Sequence, residues 1–128
     1  MSATNFLEDK FLLTSLNGNT YTGSANVYVA LYSSAPGESG SGTELSGSGY
    51  SRQVTTFTVD TGNGVATNTG NVVFGNATAD WATAVAYGIV DASTAGNILY
   101  TGNLAPTLAL KNSYNLTFPT GNITVSVN

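Results

Sequence analysis

The chain has 128 residues, no cysteine, no histidine and a net charge of −4, and only 8% of it is charged against a typical ~25%. That length supports one domain burying roughly two thirds of its unfolded surface, and three cations, Lys10, Arg52 and Lys111, cannot supply the basic footprint of a nucleic-acid binder. Disulfides and thiolate ligands are excluded, no run approaches the ~18 apolar residues that span a bilayer, and the acidic N-terminus MSATNFLEDK does not read as a secretion signal.

A hydrophobic content of 41% argues against disorder, so the surface must be built from Thr, Asn, Ser and Gly. Such a surface repels its own copies weakly and is cheap to desolvate, which suits repetitive assembly as a homo-oligomer.

Within an N-terminal segment over residues 1–20, the pattern predicts a helix from Asn5 to Leu16. Asn5 is placed to cap it, Glu8 follows three residues later as in a capping box, and Asn17-Gly18 supplies the stop. At 100° per residue Phe6, Leu12, Leu13 and Leu16 form one apolar arc, whereas Leu7 and Phe11 fall on another side. Two apolar sides fit a helix clamped between its own domain and a neighbouring subunit, or one sunk into its own core.

Strand patterning begins at Tyr21. In the segment Asn26 to Tyr32, Val27, Val29 and Leu31 alternate with Tyr28, Ala30 and Tyr32, so both faces read as covered. Residues 33–49 follow as a long Gly/Ser loop, a length that in compact domains is usually functional or mobile. Ser51 to Val59 reads as a strand with a bulge, because Val54 and Phe57 have opposite parity. A turn over Asp60–Gly64 leads to one or two strands between Val65 and Phe74, and a further loop leads to Trp81.

Thr83 to Val90 sets Val85, Tyr87 and Ile89 against small residues, Ala84, Ala86 and Gly88, which would admit another backbone. A turn over Asp91–Asn97 precedes a returning strand, Ile98 to Leu104. Leu108 to Leu110, Tyr114 to Phe118 and Ile123 to Val127 close the chain, the last with Ile123, Val125 and Val127 inward and Thr124, Ser126 and Asn128 outward. About eight short strands and a short N-terminal helix predict a single-domain, all-β antiparallel sandwich or barrel-like fold over residues 1–128.

Catalytic chemistry is thinly provided for. Without histidine or cysteine the common triads, cysteine nucleophiles and zinc sites are ruled out. Asp80 and Asp91 are the best carboxylate pair for a glycosidase, close to Trp81, yet both sit at strand–loop junctions where Asp commonly bonds its own backbone. Asp60–Asn63 and Asp91–Ser93 offer oxygen ligands for calcium, but as ordinary turns without a known loop spacing. The run GESGSGTELSGSG lacks the lysine and helix of a phosphate-binding loop. We therefore expect no enzyme activity, no cofactor and no metal.

The remaining candidates are contact residues. Arg52 has Glu38 and Glu44 in the preceding loop, so it either closes that loop onto the strand or reaches an acidic group on a partner subunit. Tyr32, Tyr50 and Trp81 stand at loop edges, where they are packing residues or a platform for a sugar ring. Phe6, Leu7 and Phe11 complete the set.

Read as a whole, VYVALYSSAP, then GTELSGSGYSRQ, then ATADWATAVAYGIVDASTAGNILYTGNL, together with the ending GNITVSV, resembles a family of small structural proteins of tailed bacteriophages. Members of that family are described variously as tail-fibre or head-decoration proteins, and the resemblance covers nearly the whole chain. It implies a virion component without enzyme activity, assembled in the host cytoplasm. The first expectation is a capsid decoration or cement protein that holds capsomers through the major capsid protein, with the helix and the 33–49 loop as contacts. The alternative is a tail-fibre or tail-tip module that meets a host-surface carbohydrate. Neither implies nucleic acid or membrane as a partner.

Overall fold

A computed structural model describes residues 1–127. It consists of one helix and antiparallel strands in three sheets. The all-β expectation holds.

The elements in chain order are β1 (Ser2–Ala3), α1 (Asn5–Asn17), β2 (Val27–Ser34), β3 (Thr43–Glu44), β4 (Gln53–Thr55), β5 (Phe57–Asp60), β6 (Val65–Asn68), β7 (Val72–Phe74), β8 (Thr83–Val90), β9 (Ile98–Ala109), β10 (Leu116–Phe118) and β11 (Thr124–Ser126). The strands outnumber the eight expected because β1 and β3 are two-residue pairings and the segments 51–59 and 65–74 each divide in two, whereas the separate strands expected at Ile98–Leu104 and Leu108–Leu110 run on as one, β9. The large sheet runs β1-β9-β8-β2-β3, with β4 also on β2; β10 pairs with β7, and β11-β6-β5 form the third sheet. The parity break between Val54 and Phe57 marks more than a bulge. Thr56 separates β4, which pairs with β2, from β5, which pairs with β6, so the chain changes sheets there.

Both faces of β2 are covered, since Val29, Ala30, Leu31 and Tyr32 are all buried. Val29 and Leu31 join Phe74, Val72, Ile89, Leu110 and Ile123 in the main core, which lies between the large sheet and the smaller ones. Burying each such side chain contributes about 1.5–3 kcal/mol. Ala30 and Tyr32 belong to a second cluster with Ala86 and Val90 on the opposite face.

The alternation expected along β8 is corrected by an irregularity between Ala84 and Ala86. Ala84 turns to the main core with Ile89, while Val85 packs on the second cluster. Gly88 admits both a ring and a neighbouring backbone: a Cβ there would lie 3.1 Å from Tyr32 Cε2, 3.3 Å from Ile98 Cγ2 and 3.3 Å from the Tyr100 carbonyl oxygen.

At the end of β6, Asn68 is buried and fully used. Its Nδ2 donates to Gly70 O and Pro119 O at 2.8 and 3.0 Å, and its Oδ1 accepts the Ile123 N–H at 2.9 Å. One polar side chain thus joins the second half of the fold to β11. In β11 Val125 is inward with Ile123 just before it, but Val127 is exposed, contrary to the alternation. The orientation expected for Asn128 lies outside the described residues.

Helix α1 spans the predicted residues and stops as expected, with Gly18 left-handed at φ 69° and bonded to Leu13 O. Its start differs. The N-cap is Thr4, not Asn5, and no side chain caps the first turn. The Thr4 hydroxyl instead donates to the carbonyls of Ile98 and Leu99, and the Asn5 N–H bonds Glu38 O at 2.9 Å. Tethering the helix to β9 has taken precedence over capping it.

Candidate functional site

Phe6, Tyr32, Glu38, Glu44 and Arg52 gather around one cleft, with Tyr50 bonded to Glu44, whereas Phe11 lies in a separate groove. The 33–49 segment does not stand free there, because Thr43 and Glu44 fold back as β3 onto Ser34 and Tyr32. Gly42 makes that turn feasible, since a Cβ at this position would sit 2.3 Å from Ser34 O. Beyond it Leu45 is buried, and the Ser48 carbonyl accepts the Trp81 indole N–H at 2.8 Å. The Gly/Ser composition therefore serves close backbone approach rather than looseness.

Folding back places Glu44 against Arg52. The guanidinium meets the carboxylate side-on, Nε to Oε1 at 2.9 Å and Nη2 to Oε2 at 2.7 Å, and its Nη1 reaches the carbonyls of Ala92 and Ala95 at 2.8 and 2.7 Å. Arg52 thus ties β3 to the β8–β9 loop, and these bonds leave it committed within its own chain. Glu38, the other expected partner, is exposed and takes part through its backbone carbonyl.

The Tyr50 hydroxyl completes the network by donating to Glu44 Oε1 at 2.8 Å and accepting the Leu31 N–H at 3.0 Å. Its ring stacks on Phe74 at 6.1 Å and meets Trp81 edge-on at 5.4 Å. Burial alone would raise the Glu44 carboxyl, but hydrogen bonds from Arg52 and Tyr50, with the Arg52 charge, outweigh it and hold the group below its ordinary value. Burial pushes the Tyr50 phenol far up, against the opposing bond from Leu31 N–H, and Glu44 adds to the rise.

Tyr32 is 3% exposed and Trp81 5%. Neither offers an open ring face for a sugar to stack on. Tyr32 nevertheless borders a cleft of about 330 Å³ between the start of α1, the β2–β3 turn and the β8–β9 loop, with Phe6, Glu38, Ser39, Asn97 and Ile98 also on its walls. Burial, aided by the Glu44 charge and opposed by Arg52, raises the Tyr32 phenol to about 12.

The remaining candidates lie on α1. Leu7 is buried, and Phe6 is half-buried edge-on to Tyr21 at 6.4 Å. Leu12 and Leu16 are 57% and 76% exposed, and Phe11 at 39% borders a groove with Tyr21 and Val127. The predicted arc is thus divided: Phe6 and Leu13 turn inward beside Leu7, while Leu12 and Leu16 face out. Sequence reasoning missed Asn97, Ala95 and Val127 as neighbours of these residues. The turn at 91–97 was legible, but its meeting with Arg52 depends on contacts forty residues apart.

The carboxylates considered for catalysis are engaged in structural hydrogen bonds. Asp80 Oδ1 accepts the Asn112 N–H, and Asp91 clamps its loop through the backbone and side-chain amides of Asn97. The two flank opposite ends of the eight-residue β8, whose own length is about 26 Å, against the ~5–10 Å of a glycosidase pair. Asp60 likewise holds Gly62 and Asn63 of its own turn.

A family model described as "Podophage GP4 fiber I protein gp80" matches residues 2–126. The chain belongs to this family. It is a family of tailed-phage structural proteins, as the resemblance implied. No curated protein matches the chain. The fibre I match takes in α1, all three sheets and the Glu44–Arg52 network, so the family relationship covers the whole candidate site.

Proposed function

We propose that this protein is a structural part of a virion fibre that works by contact, and that the outer side of α1 is where a second copy of the chain docks. The observation that carries this is the outward placement of Leu12 and Leu16, with Phe11 at the rim of an apolar groove. These side chains and Val127 expose apolar area on the order of 400 Å², near the largest patches of ordinary monomers and about half of the ~800 Å² each partner buries in a stable interface.

A second copy suits this face because residues 11–37 carry no charge at all, so identical faces meet without like-charge repulsion. Leu12 and Leu16, one turn apart, form a ridge beside the groove of Phe11, Tyr21 and Val127 and can enter its copy on the partner. The family name favours a fibre, whereas the charge-poor surface also suits the repeated contacts of a capsid decoration protein that cements the major capsid protein.

Quantitative mass spectrometry of purified virions with immunogold labelling separates the two. Labelling of the fibres at low copy number supports the proposal. Hundreds of copies spread over the head would replace it with decoration.

A further inference from the structure

We propose that the cleft floored by Tyr32 is a binding site for a neutral polyhydroxylated ligand, one to two sugar rings in size. The first observation is Tyr32 itself. Its side chain is 3% exposed, yet its hydroxyl has no hydrogen-bond partner among the described residues and is not sealed off as a buried unsatisfied atom. A hydroxyl in that setting faces the cleft and is free both to donate and to accept. Nearly every other committed polar group nearby is bonded, including Arg52, Glu44, Tyr50 and Thr4.

The second observation is the balance of the walls. A donor comes from the first turn of α1, where the Asn5 N–H is held by Glu38 O but the Phe6 N–H receives no side-chain cap because Thr4 bonds β9 instead. Acceptors come from Glu38 and from the Ser39 hydroxyl, which also shares a bond with Ser41 Oγ. Arg52 and Glu44 cancel, so Glu38 leaves the cleft slightly negative and disfavours anions. A calcium ion needs six to eight oxygens, and with Glu44 already serving Arg52 the cleft has one carboxylate to give. A neutral ligand whose hydroxyls both donate and accept satisfies this set.

Phe6 and Ile98 add apolar surface for the C–H face of a ring. At about 330 Å³ the cleft sits at the small end of ligand sites, which sets the size at one or two rings. The mode differs from stacking on Tyr50 and Trp81, which are packed in the core. It is also independent of the assembly face, since Leu12, Leu16 and Phe11 do not line the cleft. Failure of one proposal therefore leaves the other standing.

The test is a titration of the intact, ¹⁵N-labelled chain with a panel of neutral mono- and disaccharides at millimolar concentrations, comparing the wild type with Tyr32→Phe. The expected result is that at least one sugar shifts the amides of Ser39, Gly40 and Asn97, and that Tyr32→Phe weakens it tenfold or more. Because the hydroxyl has no internal partner, the variant should keep its amide spectrum away from the cleft. If it does not, Ser39→Trp, which fills the mouth from an exposed position, must abolish the same shifts. Silence across the panel, shifts elsewhere on the molecule, or equal affinity in both variants would overturn the proposal.

Discussion

Arg52 and Glu44 form a two-pronged ion pair, with bonds of 2.9 and 2.7 Å, that closes the β2–β3 hairpin and fastens it to the β8–β9 loop. Their side chains are 11% and 27% exposed, so water screens the pair only weakly. Removing one member leaves the other charge half-buried and unpaired, which is costlier than losing the pair's net attraction. Arg52→Ala should destabilise the fold by about 3 kcal/mol, read as a lower urea midpoint with an unchanged slope. A loss below about 0.5 kcal/mol would mean the hairpin is held by packing alone.

The same pair sets an acid limb. Glu44 has a folded-state value below its ordinary 4.5, so its stabilisation is complete above that pH and is lost as pH falls through the lower folded value. Thermal melts from pH 6 downward should show stability dropping below about pH 4.5. Glu44→Gln should start less stable and fall less steeply across the same range.

At high pH the tyrosines act with the opposite sign. Tyr32 and Tyr50 are raised above their ordinary value of 10, so their contribution is complete below pH 10 and is lost as pH rises through the folded values. An absorbance titration of phenolate should show Tyr32 ionising later than an ordinary phenol and Tyr50 only together with unfolding, and Tyr32→Phe should move that transition upward.

Asn68 makes three side-chain bonds in a buried position. Asn68→Ala removes the partner of the Ile123 N–H and of the Gly70 carbonyl, while the Pro119 carbonyl keeps the Asn122 N–H, at about 1–3 kcal/mol. Hydrogen exchange should speed most at the Ile123 amide. If exchange rises evenly over the chain, Asn68 is not the local tie between β6 and β11.

Leu16 is exposed by 76%, so Leu16→Asp should change monomer stability by no more than about 0.5 kcal/mol. The same substitution should dissociate the self-assembled species seen by light scattering. Self-association unchanged in Leu16→Asp and in Leu12→Asp would remove α1 as the docking face.

Much of the fold was legible because it rests on local chemistry. The alternation of β2, the Gly18 stop and the parity break at Thr56 follow from side-chain period and backbone freedom within a few residues. The start of α1 was misread because the Thr4 hydroxyl had a competing use on β9, which no local rule contains. The three aromatics at loop edges stand out in the sequence, but their burial depended on what folded over them. Trp81 disappears beneath the 46–50 segment, and Tyr32 is left 3% exposed at the edge of a cleft.

By itself, the sequence determined the class of the protein: a cysteine-free, histidine-free β chain of low charge, kin to phage structural proteins and poor in catalytic means. Only the tertiary structure decided which residues are available to a partner. Periodicity tells which faces are apolar, but burial is a property of pairs of surfaces. Leu7 and Leu12 look alike in the sequence, and only one of them found a surface to cover it.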